Sequence, residues 1–125
     1  MSDAMYREHI LDLYKNPQNF GELKGATQKH REFNPLCGDD IEMQVVISKG
    51  QVKDVKFKGH GCALSIASSS LITEKAKGMK LEEVMKLTKE DVLELMGIPM
   101  GPVRIKCALL PLEALHKTVM KHAGN

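Results

Sequence analysis

The sequence predicts an α+β fold, in which a small antiparallel β-sheet of about three strands packs against several α-helices. Between residues 41 and 58, two runs alternate apolar and polar residues, as half-buried strands do. The segments before and after these runs instead carry apolar residues at helical spacing. Strands grouped in one part of the chain, with helices grouped after them, are typical of α+β domains. We therefore expect residues 1–125 to form a single domain.

The N-terminal half begins with a predicted helix over residues 3–15, where four side chains share one face: Tyr6, Ile10, Leu13 and Tyr14. Asn16-Pro17 ends this helix. A weak edge strand is predicted over residues 25–32. A β-hairpin follows, with a turn at Lys49-Gly50-Gln51 and apolar positions at Ile41, Met43, Val45, Ile47, Val55 and Phe57.

The C-terminal half is predicted to be helical. One helix covers residues 65–77, and a short helical turn covers residues 81–86. Thr88-Lys89-Glu90-Asp91 resembles a capping box, so another helix begins there and ends at Gly97. After a loop, a final amphipathic helix is predicted over residues 104–121, within which Pro111 marks either its true start or a kink.

Composition excludes several classes of function. The net charge is +2 and only 4% of residues are aromatic, so neither a basic patch nor a base-stacking surface for nucleic acid is expected. No apolar run approaches the ~20 residues of a membrane-spanning helix. The charged N-terminus does not resemble a signal peptide. Three cysteines cannot all pair within one chain, and a cytoplasmic protein with reduced thiols is predicted.

The cysteines lie far apart, each in a distinctive segment: Asn34-Pro35-Leu36-Cys37-Gly38-Asp39, Gly61-Cys62-Ala63-Leu64-Ser65 and Arg104-Ile105-Lys106-Cys107. With Asp39 they supply three thiolates and one carboxylate, enough for a four-coordinate zinc ion or an iron–sulfur cluster. A hard carboxylate suits iron–sulfide less well than a soft thiolate does, which favours transient attachment. From their number alone, however, three scattered cysteines without a C-x-x-C pair are more often core or incidental residues than metal ligands.

The positions of the cysteines also lead to expectations about their chemistry. All three are expected at loop junctions, with Cys62 at a helix start whose partial positive charge favours thiolate. Arg104 and Lys106 are expected to lower the pKa of Cys107. His60 lies two residues before Cys62 and could approach the site, but a hydrogen-bonded loop residue is the preferred interpretation.

The order and spacing of these segments resemble the iron–sulfur cluster assembly scaffolds of the IscU, SufU and NifU N-terminal-domain type, over nearly the whole chain. The resemblance implies a SufE/NifU-like domain that assembles a 2Fe–2S cluster and transfers it to recipient apo iron–sulfur proteins. Sulfur would come from a cysteine desulfurase and iron from an iron donor. The implied ligands are Cys37, Asp39, Cys62 and Cys107, and Cys107 resembles the position that receives persulfide sulfur.

Two departures from the family leave a second function open. IscU proteins carry histidine directly before the third cysteine, where this chain has Lys106 as SufU proteins do. Residues 100–104 keep only part of the Leu-Pro-Pro-Val-Lys stretch that a dedicated Hsp70 chaperone recognises, so dependence on that chaperone has little support. The 45 positions from Cys62 to Cys107 nevertheless match the IscU type, which lacks the SufU insertion.

A scaffold is therefore the favoured prediction. The alternative is a zinc-dependent sulfurtransferase of the SufU type, with Zn²⁺ in the same site, so whether the chain is an enzyme is left open. A homodimer bridged by the cluster is also left open.

Overall fold

The computed structural model describes residues 3–123, and over these it confirms the α+β prediction. The described chain forms five helices and one three-stranded sheet, in the order α1 (Asp3–Lys15), β1 (Gln28–Asn34), β2 (Asp39–Ser48), β3 (Gln51–His60), α2 (Ala63–Ala76), α3 (Leu81–Met85), α4 (Lys89–Met96) and α5 (Pro102–Ala123). None of these helices is long and apolar enough to cross a bilayer.

The sheet is antiparallel throughout, with strand order β1-β2-β3. Ile41, Met43 and Val45 on the central strand β2 are fully buried, whereas the exposed or half-buried β1 forms an edge. The predicted hairpin between β2 and β3 is present. Strand β1 begins and ends later than predicted, and its last residue, Asn34, pairs with Asp39 at the start of β2. This pairing brings the Cys37 segment to the end of the sheet.

The helices α2 and α5 cover the sheet and contact each other, and α1 packs on α2. Their apolar side chains form a continuous core with those of β2 and β3. Of the predicted α1 face, Ile10 and Leu13 are buried, but Tyr14 is 46% exposed. The buried face of α1 is therefore narrower than the periodicity predicts.

Helix α5 begins at Pro102 and continues through Pro111. The prediction that Pro111 could mark the start of this helix is wrong. A proline in a helix interior removes one backbone N–H, and the acceptor that loses it is the carbonyl of residue 107. The Ser65 hydroxyl lies 3.0 Å from that carbonyl, within hydrogen-bond distance, and so offsets part of the lost bond.

Candidate metal centre

The candidate ligands come from three separate parts of the fold. Cys37 lies in the turn at residues 35–38 that joins β1 to β2, and Asp39 is the first residue of β2. Cys62 is the N-cap of α2, and Cys107 lies in the second turn of α5. The sheet end, the start of α2 and the early part of α5 meet at this point, because both helices pack on the sheet.

The turn that carries Cys37 has a local sequence cause. The side-chain oxygen of Asn34 accepts a hydrogen bond from the backbone N–H of Leu36 at 3.0 Å, and the backbone N–H of Gly38 donates to the carbonyl of Asn34 at 2.8 Å. Gly38 has a φ of 76°, a left-handed conformation that glycine adopts without steric cost. These interactions hold Cys37 exposed at the tip of the turn.

Three of the four candidate ligands form a compact group. The ligand atoms of Cys37, Asp39 and Cys107 all lie within 4.8 Å of one another. The Sγ atoms of Cys37 and Cys107 are 3.4 Å apart. A tetrahedral zinc ion with Zn–S bonds of about 2.3 Å holds its sulfur ligands roughly 3.8 Å apart. The spacing and the donor set therefore fit a thiolate-bound metal.

Cys62 lies beside this group but is not one of its members. Its Sγ is 3.8 Å from the Ser65 hydroxyl, and its thiol interacts electrostatically with that of Cys107. Cys62 is half-buried and sits at the positive end of α2. Cys62 is therefore adjacent to the group of three ligand atoms but not part of it.

Asp39 is an almost fully buried carboxylate, with 5% of its surface exposed. Its Oδ1 accepts a hydrogen bond from the backbone N–H of Cys62 at 3.2 Å, and its Oδ2 accepts one from Ser65 Oγ at 2.5 Å. Both oxygens are thus bonded to the N-terminal turn of α2, where the helix dipole favours negative charge. Each oxygen keeps a further lone pair for a metal.

Gly61 permits this close approach between strand and helix. A Cβ at this position would lie 2.9 Å from Cβ of Ser65 and 3.5 Å from Cγ of Asp39. The first separation is shorter than van der Waals contact between carbon atoms. A side chain here would therefore push the Ser65 turn away from Asp39.

Cys107 differs from the sequence expectations in two ways. It lies inside a helix rather than at a loop junction, and only 5% of its surface is exposed. Burial, with the neighbouring thiols of Cys37 and Cys62, raises its pKa to about 12. The prediction that Arg104 and Lys106 lower this pKa is wrong, because both cations are exposed to water.

His60 lies away from the candidate ligands, whereas Ser65, to which the sequence gives no role in the site, contacts them. The His60 side chain is 91% exposed, and its Nδ1 lies 3.6 Å from Asp40 Oδ2 rather than among the candidate ligands. Ser65, predicted only as the start of a helix, has a fully buried hydroxyl that touches the site. Its position three residues after Cys62 on the same helical turn was the available signal.

The fold and the converging thiols define an α+β domain with a candidate metal centre, and comparisons with known proteins identify its family. Residues 5–125 match the family described as the NifU-like N-terminal domain, and the chain belongs to that family.

Relatives include both scaffolds and a sulfurtransferase. The chain is 36% identical over 140 aligned positions to the zinc-dependent sulfurtransferase SufU of Bacillus subtilis, covering 98% of this chain and 95% of that protein. It is 34% identical over 124 positions to the iron–sulfur cluster assembly scaffold protein IscU of Escherichia coli, covering 96% and 95%. The crystal structure of SufU from Fervidobacterium islandicum superposes with a TM-score of 0.79 at 27% identity, covering 95% of this chain and 99% of that one.

Proposed function

We propose that this protein is a scaffold on which a 2Fe–2S cluster is assembled and from which it is transferred to apo-proteins. The cluster is its cargo, held by Cys37, Asp39, Cys62 and Cys107. The observation that carries the proposal is the meeting of two thiols and a buried carboxylate within 4.8 Å, with the third thiol beside them. Thiolates are the usual ligands of iron–sulfur clusters.

Two features of the site favour release over permanent attachment. Asp39 supplies a hard oxygen ligand, which binds iron–sulfide less strongly than a thiolate would. Cys37 is exposed on a turn, so a recipient protein can reach this side of the cargo. A permanent electron-transfer site is instead typically closed by four thiolates.

Sulfur is proposed to arrive by thiol–persulfide exchange with a cysteine desulfurase. A thiolate of this chain attacks the outer sulfur of the desulfurase persulfide, a new S–S bond forms, and the desulfurase thiolate leaves. We assign the acceptor role to Cys107. Since this thiol is buried beside the exposed Cys37, the turn at residues 35–38 must first move away.

The acceptor role can be tested with protein that carries no metal. After incubation with a desulfurase and cysteine, thiol labelling and mass spectrometry locate the persulfide in the wild type, in Cys107→Ser and in Cys37→Ser. We expect persulfide on Cys107 in the wild type and in Cys37→Ser. Persulfide found on Cys37 alone would contradict the assignment to Cys107.

The second candidate is a zinc-dependent sulfurtransferase, in which Zn²⁺ occupies the same ligands and the reaction is sulfur acceptance. The 36% identity with the Bacillus subtilis SufU favours it. That alignment, however, extends over 140 positions, at least 15 more than the 125 residues of this chain. The alignment therefore pairs at least 15 residues of this relative with gaps in the present chain, and we prefer the scaffold.

The partners follow from the proposed function. They are a cysteine desulfurase, an iron donor and recipient apo iron–sulfur proteins, in the cytoplasm where thiols remain reduced. A dedicated Hsp70 chaperone is not part of the proposal, because residues 100–104 keep only part of the recognised stretch. Bridging of one cluster between two chains remains open to the measurement below.

The deciding experiment measures iron and acid-labile sulfide per chain. Metal-stripped protein is incubated anaerobically with a cysteine desulfurase, cysteine and Fe²⁺, with and without one equivalent of Zn²⁺. We expect about two irons and two sulfides per site, formed despite the zinc. Half that content per chain, with a dimer on gel filtration, would indicate a bridged cluster.

The control is Cys107→Ser, which removes a thiolate that every arrangement of the site requires. We expect this variant to form no cluster. Zinc retained without sulfide in the wild type, together with faster desulfurase turnover, would replace the scaffold by the sulfurtransferase.

A further inference from the structure

We propose that Ser65 is the positioning residue of this centre, and that its hydroxyl holds Asp39 where the carboxylate can bind a metal. This inference rests on one part of the function proposed above, namely that the site binds a metal. It applies equally to a cluster and to zinc. Ser65 itself is not a ligand, because its oxygen is already engaged with the candidate ligands around it.

Ser65 contacts three of the four candidate ligands. Its Oγ lies 2.5 Å from Oδ2 of Asp39, 3.8 Å from Sγ of Cys62 and 3.0 Å from the carbonyl oxygen of Cys107. The side chain is fully buried, so water does not compete for these contacts. Among the described residues these bonds link the start of β2, the N-terminus of α2 and the second turn of α5.

The Cys107 carbonyl that Ser65 contacts is the one that Pro111 leaves without its helical donor. In an α-helix the N–H of residue 111 would donate to the carbonyl of residue 107, and proline has no N–H. The freed carbonyl belongs to the buried Cys107 and lies within hydrogen-bond distance of the Ser65 hydroxyl, at 3.0 Å. Ser65 on α2 therefore contacts α5 at the level of the thiol.

One hydroxyl proton serves two acceptors, and their chemistry decides between them. A hydrogen bond to an ionised carboxylate is shorter and stronger than one to a neutral carbonyl. The 2.5 Å and 3.0 Å distances follow that order. The hydroxyl of Ser65 therefore donates mainly to Asp39, and the Cys107 carbonyl receives the weaker share of this proton.

Asp39 as held is already close to its fellow ligands. Its carboxylate belongs to the group within 4.8 Å while both of its oxygens are bonded to the α2 turn. Ligating groups generally depend on such outer partners, whose removal typically weakens metal binding by about 10–100-fold. We expect an effect of this size from Ser65→Ala.

Ser68 provides a matched control on the same helix. It is also buried, and its hydroxyl donates to the carbonyl of Ala108, one residue beyond Cys107, at 2.6 Å. It therefore links α2 to α5 in the same way without touching Asp39. Ser68→Ala removes the same hydroxyl chemistry and is expected to change zinc affinity by less than about twofold.

The experiment measures zinc affinity of the metal-stripped, reduced protein by competition with a chromophoric chelator, alongside thermal unfolding. Ser65→Ala removes two things at once, the donor to Asp39 and the donor to the Cys107 carbonyl. The double variant Ser65→Ala with Pro111→Ala separates them, because alanine at 111 returns a backbone N–H to that carbonyl. We expect this variant to recover thermal stability but to keep the weakened zinc affinity. Pro111→Ala alone is the reference.

A second comparison uses Asp39→Ala as the background. Because Ser65 acts through Asp39, adding Ser65→Ala there should cost less than about threefold in zinc affinity, compared with ~10–100-fold in the wild type. The proposal would be overturned if Ser65→Ala with Pro111→Ala recovered zinc affinity as well as thermal stability. Equal losses of zinc affinity in Ser65→Ala and Ser68→Ala would overturn it too. Wild-type protein that binds no zinc would instead refute the metal site itself.

Discussion

At the scale of single residues, the proposed role of Cys107 as a ligand would make metal binding depend on pH. Its thiol is buried and its pKa is raised to about 12, so it is protonated near neutral pH. A metal binds the thiolate, and the proton must leave when the metal arrives. Metal affinity therefore rises with pH throughout the range below the raised pKa.

The first prediction concerns this proton. The proton lost from Cys107 alone should contribute a rise of about tenfold per pH unit to the apparent zinc affinity between about pH 6.5 and about pH 8.5. Competition titrations at several pH values measure it, and Cys107→Ala should reduce the slope by about one proton. A slope that is the same in wild type and variant would mean that Cys107 is not a ligand.

The second prediction concerns the hard ligand. Asp39→Cys replaces the carboxylate by a soft thiolate, and an assembled cluster should persist about tenfold longer in the presence of a chelator. Loss of the cluster's visible absorption gives the rate. Asp40→Cys is the control, since successive strand residues point to opposite faces and Asp40 pairs with Arg31. Equal persistence in wild type and Asp39→Cys would show that the carboxylate does not set the release rate.

At the scale of the elements, the packing of Tyr6 on α1 against the end of α4 requires glycine at position 97. This residue ends α4 in the left-handed conformation, with φ of 69°, and the ring of Tyr6 lies directly against its Cα. The predicted capping box at the other end of α4 is present, with Thr88 and Asp91 bonded reciprocally. Residues within and next to α4 therefore determine where this helix begins and ends. Its contact with Tyr6 instead depends on how α1 packs against it.

The third prediction tests that contact. Gly97→Ala should destabilise the protein by about 1 kcal/mol from the left-handed backbone and by about 1–3 kcal/mol more from the clash with Tyr6. Gly78→Ala is a matched control, because Gly78 has a φ of 82° but nothing within 4 Å of an added Cβ. Chemical denaturation gives both free energies of unfolding. Equal losses would show that the Tyr6 contact adjusts without cost.

Most elements could be predicted from the sequence because their signals are local. Alternation along β2, the Thr88 cap and Gly97 each act within a few residues, and each correctly predicts its element. Pro111 does not mark the start of α5, and the carbonyl that it leaves without an N–H lies beside a donor from outside the helix. That donor, the hydroxyl of Ser65, comes from another helix, and no local pattern reveals it.

At the scale of the whole molecule, the candidate site joins residues far apart in the chain. Cys37 and Cys107 are 70 positions apart, and their Sγ atoms lie 3.4 Å apart. The set of candidate ligands could be predicted from short segments that resemble a family. The burial of Cys107 could not, because it depends on how α5 packs on α2 and the sheet.

The fourth prediction follows from the meeting of ligands that lie far apart in the chain. A metal that binds only the folded chain stabilises it by about 2.7 kcal/mol at a free concentration 100 times its dissociation constant. For a chain of this length that corresponds to a rise in Tm of roughly 10 °C. We expect this rise when Zn²⁺ is added to the metal-stripped protein under reducing conditions, and its reversal by a chelator.

Cys107→Ser separates stabilisation through the site from nonspecific effects of zinc. The serine hydroxyl is a poorer zinc ligand than thiolate. In this variant the metal therefore no longer links α5 to the end of the sheet and the start of α2. Its Tm should change by less than about 2 °C on addition of zinc at the same free concentration. An equal rise in both proteins would mean that zinc binds elsewhere, and that the closeness of Cys37 to Cys107 contributes nothing to metal-linked stability.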